Sequence, residues 1–373
     1  MPCSVIIYGA AVAQRVRAPD SYGGAWDIRR SGVRSPAAAL PSLNMVFYLV
    51  SLGRLGEKGF ILNYISKHLS RDVLLDDAYY VRVASGDYLV LKVDGFSLRS
   101  AKYPWMDYYD VGWKVVTSVV SDLVAKYATP KYVLVSIGLN RGRSVSEAED
   151  LISGVSDACR YYGASLVGGD TNVSEGDEWV DAVAVGTSPN PIPIRAKDPG
   201  DYIIIVGEYG VTGLAYELYV RDVKKLPNKV IEVTKRPKAR VELLNVFTKF
   251  RDCICVSTDV SDGLAEALHR LSTINEVSIT INELRIPKEV RAMIKNLGLD
   301  PMDVALRGGE EFEVIFTTKA ECLDGLINEL RRFNIPFTIG VLRRGMHKVI
   351  VNSRKVPYVG WDNYLGYTTI ETK

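Results

Sequence analysis

"VSTDVSDGLAEAL", residues 256–268, runs from an apolar stretch into a helix-like pattern, with Asp259 and Asp262 three positions apart at the join. Such a pair has two readings. The carboxylates can cap the helix by accepting from the free N–H groups of its first turn, or they can hold a metal ion. Acidic residues elsewhere in the chain bear on the choice.

They recur at the ends of apolar runs: "LLDDA" (Asp76, Asp77), "LKVDG" (Asp94), "VVSDL" (Asp122), "LVGGDT" (Asp170) and "RGGEEFEV" (Glu310, Glu311). Taken singly, an aspartate at a strand end is more often a turn or cap, because its short side chain bonds nearby backbone N–H groups. Asp122 is different. On a helix over 110–127, Trp113, Val116, Val120, Val124 and Tyr127 share one face while Asp122 points opposite. Val115 and Val119 flank it there, so the helix is apolar nearly all round and is expected to be buried. A carboxylate in such surroundings needs a cation or donors, since an unpaired buried charge is costly. Several carboxylates with few histidines suit a hard ion, Mg²⁺ above all, which points to phosphate chemistry.

The whole chain narrows the field. Its 373 residues, 47% hydrophobic, suffice for about two soluble domains. No apolar stretch reaches the roughly 18–20 residues that span a bilayer, and no signal-peptide pattern opens the chain, so a cytoplasmic enzyme without a membrane partner is expected. The formal charge of +2 is uneven: residues 1–44 carry Arg15, Arg17, Arg29, Arg30 and Arg34 against two Asp, a surplus of three that leaves −1 elsewhere. No basic stripe remains for nucleic acid. Cys3, Cys159, Cys253, Cys255 and Cys322 show neither paired zinc spacing nor disulfide density and read as small buried residues. Three histidines leave little material for a Ser/His/Asp triad.

Residues 1–44, rich in Gly, Pro, Ala and Arg, show no sustained period. A disordered extension, a transit peptide and upstream sequence before a true start at Met45 all fit, and the last is preferred. From 88 to 187, strands "YLVLKVD", "KYVLVSIGL", "ASLVGG" and "WVDAVAVGT" alternate with helices over 110–127 and 144–162, the second opening on Ser144 and Glu147 at capping-box spacing. "SPNPIPIRAKDPGD" (188–201) is the best boundary, dividing a domain over 45–190 from one over 198–373. The second begins with "YIIIVG" and ends in a strand pair around "FTIGVLRRG" and "HKVIVNSRKV". Strands and helices intermixed with hairpins indicate two α+β domains rather than one doubly wound sheet. No Walker loop or kinase GxGxxG is present; "IIIVGEYGVTGLAYEL", with Gly207, Gly210 and Gly213, suits either a phosphate cradle or a tight turn.

Together the motifs resemble the thiamine-monophosphate kinase family, in the superfamily of aminoimidazole ribonucleotide synthetase. "LGRLGEKGFI", "DVGWKVVTSVVSDLVAKYATP", "LVGGDT", "STDVSDGL", "ALRGGEEFEVIF" and "GWDNY" follow in the family's order between Ser51 and Tyr364. The resemblance implies two α+β domains, the N-terminal one dimerising through its sheet, with ATP in the cleft between domains. It implies in-line transfer of the ATP γ-phosphoryl group to thiamine monophosphate, giving thiamine diphosphate. Asp76, Asp94, Asp122, Asp170, Asp259 and Asp262 would hold several Mg²⁺ ions, with Asp122 and Asp262 nearest the chemistry. Gly169, Asp170, Arg195 and Ser261 would bind ATP, and Glu310 and Trp361 the thiamine moiety. An in-line transfer between two phosphates relies on positioning and charge neutralisation rather than a covalent nucleophile, consistent with the scarcity of histidine.

Three departures stand out. Leu75 replaces the family's Gly before the paired aspartates, Lys92 and Val93 replace two threonines before Asp94, and "GFSLRSAKYPW" replaces a segment carrying a substrate-contacting His. They leave open an aminoimidazole ribonucleotide synthetase-like enzyme or a non-catalytic nucleotide-binding paralogue.

Overall fold

A computed structural model describes residues 50–69 and 75–370, so the extension expected over 1–44 and the expected start at Met45 lie outside the described residues. The first part comprises α1 (Leu52–Leu55), α2 (Glu57–Asn63), β1 (Tyr79–Arg82), β2 (Tyr88–Ser97), α3 (Leu98–Ala101), α4 (Tyr108–Ala125), β3 (Thr129–Leu139), α5 (Val145–Tyr161), β4 (Ser165–Val173) and β5 (Trp179–Ser188). Its sheet runs β1-β2-β5-β3-β4, and only β3 and β4 are parallel, joined by α5 as crossover. Both long helices open on reciprocal caps. Ser144 and Glu147 form the box their spacing predicts, and Asp107 with Asp110 starts α4 two residues ahead of the expected 110.

The second part comprises β6 (Tyr202–Val206), α6 (Val211–Val220), α7 (Asn228–Lys235), α8 (Leu243–Phe250), β7 (Ile254–Val260), α9 (Leu264–Asn275), β8 (Val277–Ile281), α10 (Lys288–Asn296), α11 (Pro301–Arg307), β9 (Glu313–Thr318), α12 (Leu323–Arg332), β10 (Phe337–Arg344), β11 (Val349–Val351) and β12 (Arg354–Lys355). Among the described residues these strands form one sheet, β12-β11-β8-β10-β6-β9-β7, with β13 (Tyr358–Asp362) and β14 (Gly366–Ile370) as a separate hairpin. The closing segments expected to pair do not meet. β8 lies between β10 and β11, antiparallel to one and parallel to the other.

Period-2 alternation divides the second sheet between two cores. Ile204, Val206, Val314 and Phe316 pack into the cluster that holds α4, while Ile203, Ile205 and Ile315 face α6, α9 and α11. The all-round apolarity of α4 follows. The helix packs against the inner face of the first sheet through Val90, Ala182 and Ala184 and against β7 and β9 of the second, so every residue but Tyr109 is buried. Each large aliphatic side chain so buried contributes about 1.5–3 kcal/mol.

One cysteine reading is corrected. Cys253 and Cys322 form a disulfide with a Cα–Cα distance of 6.0 Å, although 69 positions separate them. Cys253 precedes β7 and Cys322 follows β9, and the Ile254–Thr318 pairing of those strands brings the two together, which local spacing does not reveal. Cys159 is buried and unpaired, as read. No described helix is long and apolar enough to cross a membrane.

Candidate active site

Because α4 lies between the sheets, its last turn and the end of β7 meet. Ser121 Oγ donates to Asp259 Oδ2 at 3.1 Å, fully buried, and the neighbouring Asp122 faces the same space. Asp77, just before β1, completes a group of three buried carboxylates with one oxygen each lying within 4.8 Å of one another. Two of the three, Asp122 and Asp259, are among the residues singled out from the sequence. The third is Asp77 rather than its neighbour Asp76.

Cations surround the group. Lys92 Nζ on β2 lies 3.0 Å from Asp122 Oδ2. Lys126 Nζ lies 2.6 Å from Asp76 Oδ1 and 2.9 Å from Asp77 Oδ2 and donates to the carbonyl of Ser257 at 2.7 Å. Arg270 on α9 reaches Asp77 Oδ1 at 3.0 Å and Thr258 Oγ1 at 2.6 Å. The carboxylates respond differently. Burial disfavours ionised Asp77, but Lys126 and Arg270 outweigh it and hold the group at about 2. Burial, then the charge of Asp77, pushes Asp259 up to about 7. Burial raises Asp122 well above the carboxylate range, Lys92 opposing and Asp259 adding to it.

An all-oxygen set of three close, buried carboxylates is the donor chemistry of a hard divalent ion. Burial raises the proton affinity of both Asp122 and Asp259, and the ionised form of each would be favoured by a cation between them. The residues fit Mg²⁺.

The remaining singled-out residues spread around this centre. Asp76 turns to Lys126 and the backbone N–H of Ile194, 3.4 Å away. Asp94 shares the inner face of β2 with Lys92, opposite the buried Ala182 and Ala184. Asp170 and Ser136 pair on adjacent strands, in a row with Asp181 and Gly95 on the outer face of the first sheet, away from α4. Gly169 beside it is required by close packing, since a Cβ there would lie 1.8 Å from the carbonyl oxygen of Val135. Arg195 is exposed and donates to the carbonyl of Ile274 at 3.3 Å.

Asp262 and Ser261 mark a second acidic corner. Lys58 Nζ on α2 lies 3.7 Å from Asp262 and 2.7 Å from Glu266, and burial together with Glu266 raises Asp262 to about 7. The opening and closing motifs meet here: Glu57 N donates to Asp362 Oδ2 at 2.8 Å, and Trp361 N to the carbonyl of Asp262 at 2.9 Å. Neither carboxylate of the opening stretch accepts a helix-capping bond from α9, whose N-cap is Gly263. The loop 308–312 is strapped over this corner by Glu310 N, which donates to the carbonyl of Ser261 at 2.6 Å, and by Phe312 N to that of Val260 at 2.9 Å. Glu310 and Phe312 take left-handed backbone conformations, as does Leu75 with φ +75°, where glycine is the comfortable residue.

Glu310 pairs with Lys114 of α4 at 2.5 Å, and aromatic side chains gather nearby. Trp361 meets Tyr367 edge-on, and Tyr367 meets Tyr216. Tyr103 and Trp105, from the segment that departs from the family, stack at 4.5 Å with planes 5° apart. Burial first, then Glu310, Tyr367 and Tyr216, raises the phenol of Tyr103, so these groups face one another. The glycine turn before α6 is a packing device: Gly210, at φ +103°, precedes a helix start at which Glu311 accepts from Gly210 N at 3.1 Å and Thr212 Oγ1 at 2.8 Å. The chain's own carboxylate occupies the position a phosphate cradle needs.

Lys126, Arg270, Lys114, Tyr103 and Trp105 were not singled out from the sequence. Lys126 alone left a trace, as a lysine four residues past Asp122 in an apolar helix. The others reach the site from elements whose placement is long-range.

Two mixed sheets joined through a buried acidic helix define a class. The N-terminal domain model of the AIR synthase related proteins matches residues 75–188 and their C-terminal domain model residues 198–352, so the chain belongs to that family. Within it, the chain is a kinase of the thiamine-monophosphate kinase family. The thiamine-monophosphate kinase of Pyrobaculum calidifontis is 32% identical over 71% of this chain and 84% of its own length. That of Pyrococcus abyssi is 28% identical over 84% and 98%. The structure of AaThiL complexed with AMPPCP and TMP superposes with a TM-score of 0.75 at 27% identity, covering 85% of this chain and 99% of that one.

Proposed function

We propose that this chain transfers the γ-phosphoryl group of ATP directly to the phosphate of thiamine monophosphate, giving thiamine diphosphate and ADP. The observation that carries the reading is the convergence of Asp77, Asp122 and Asp259 between the two sheets. The relatives named thiamine-monophosphate kinases, and the similar structure complexed with AMPPCP and TMP, support the two substrates.

Asp77, Asp122 and Asp259 would hold Mg²⁺, with Asp76, Asp94 and Asp262 as further ligands; Asp170, on the outer face of the first sheet, would not reach this centre in its own chain. When bound, Mg²⁺ supplies neutralisation of the charge that builds on the transferring phosphoryl group. The chain's own residues position and exclude. Burial of the three carboxylates keeps water from the centre and strengthens each interaction there. Ser121 orients Asp259, and Lys126 with Arg270 fixes Asp77 in its ionised form. Ser261, Arg195 and Gly169 are assigned to ATP. Glu310, fixed by Lys114, and Trp361 are assigned to the thiamine moiety, whose cationic ring suits a carboxylate beside aromatic faces.

The outer face of the first sheet is assigned to a second copy of the chain. Val93, Leu134, Val183 and Tyr132 stand exposed on it beside Asp170 and Asp181. A homodimer through this face gives Asp170 a partner surface that one chain lacks, and a cytoplasmic setting completes the reading.

Coupled detection of thiamine diphosphate with ATP, Mg²⁺ and thiamine monophosphate tests the function. Product formation, absent without Mg²⁺, is expected; tight ATP binding with no thiamine diphosphate formed would sink it.

A further inference from the structure

The cations of the acidic centre are not equivalent. Lys126 and Arg270 are each tied into the scaffold, the first through the carbonyl of Ser257 and the second through Thr258, and both serve Asp77. Lys92 pairs with Asp122, itself one of the three converging carboxylates, at 3.0 Å. It sits on the inner face of β2, two residues before Asp94, with its side chain 23% exposed against 5% for Asp122. An ammonium group there competes for the oxygen that a divalent ion at Asp122 must use.

Formal charge points the same way. Asp76, Asp77, Asp94, Asp122 and Asp259 share the interior with Lys92, Lys126 and Arg270, five carboxylates against three fixed cations, of which Arg270 is shared with Glu266. At least two negative charges remain for divalent ions to neutralise. Removing the ammonium of Lys92 adds one more, and frees an Asp122 oxygen at the same time. A lysine is a compact point charge on a flexible stem and cannot exchange with solvent as a free ion does.

We propose that the Lys92 ammonium is a resident counter-ion of the acidic centre, holding the place of one divalent cation at Asp122, so that removing it opens one further divalent site. The proposal rests on the metal-dependent reading above for what the ions do, and not for how many bind.

The number is read without either substrate. The full chain is titrated with Mn²⁺, which accepts the same oxygen ligands as Mg²⁺, and the free ion is counted by electron paramagnetic resonance. Lys92→Met, which keeps the stem and removes the charge, is expected to bind one Mn²⁺ more per chain than the wild type, while Lys92→Arg keeps the wild-type number. Lys92→Thr serves as the second neutral variant should Lys92→Met fail to fold by circular dichroism. Equal counts for the wild type and the folded neutral variant, or fewer ions in the variant, overturn the proposal. A gain of one ion in a chain that forms no thiamine diphosphate leaves this inference standing and removes the substrate reading; equal counts in an active enzyme do the reverse.

Discussion

β9 of the second sheet is buried at every position, whereas β4 of the first is exposed at all but one. The contrast extends inward from that edge. Val93 on β2, a strand with neighbours on both sides, is 64% exposed, while Ile203, Ile204 and Ile205 on β6 are wholly buried. The second sheet has cores on both faces, and α4 covers the first sheet on one face only. A carboxylate between α4 and the second sheet must find a cation; one on the bare face meets solvent. Burial on two sides is therefore what gathers Asp122 and Asp259 with Asp77 into one buried cluster, and the bare side is the face that the proposed second copy would cover.

The strongest way to break this contrast is at its buried centre. Asp122→Asn keeps the shape of the side chain and removes the charge that a cation requires. Turnover should fall by about 10²-fold or more, the scale on which single charge-stabilising groups act, with the melting temperature little changed, because Lys92 loses one partner while Asp94 and Asp259 remain beside it. Steady-state rates and a thermal melt on the same preparation check it, and unchanged turnover would make the acidic centre structural.

The second way is at the bare face. Val93→Glu in a self-complementary interface places like charges against each other across a two-fold axis. Sedimentation should show a wild-type dimer and a variant monomer of nearly equal melting temperature, because an exposed valine contributes little to the isolated fold. An unchanged sedimentation coefficient would reassign this face.

The contrast was half legible in the sequence. The apolar surroundings of Asp122 marked α4 as buried, and "STDVSDGL" placed Asp259 at its strand end. "YLVLKVD" did not mark which of its faces is buried: Tyr88 and Val90 alternate with Leu89, Leu91 and Val93, so both faces are apolar and the period has no sign. The insertion of β8 between β10 and β11 was hidden for a related reason, since pairing order depends on contacts far along the chain. Asp76 and Asp77 are chemically identical neighbours whose side chains leave the backbone in different directions. Only the positions of Lys126, Arg270 and Thr258 decide that Asp77 faces Asp259.

The mildest test concerns the electrostatic cost of covering a sheet on both faces. Glu311, two residues before β9, is buried, and burial lifts it to about 7 despite the bonds from Thr212 and Gly210. An unfolded glutamate releases its proton near 4.3. Between those limits the native state holds a proton that the unfolded state has lost, so stability from this group is fully present below the lower value and is lost as pH rises through about 7. Asp259 and Asp262 add slopes of the same sign in the absence of a metal ion. Glu311→Gln stays neutral throughout, keeps an oxygen for Gly210 and Thr212, and removes one contributor. The metal-free variant should therefore lose less melting temperature than the wild type between pH 5 and pH 8, by a few degrees for a chain of this size, measured by calorimetry at each pH. Parallel profiles would mean that Glu311 is already ionised in the native protein, and that double-sided burial costs this sheet less than its enclosure implies.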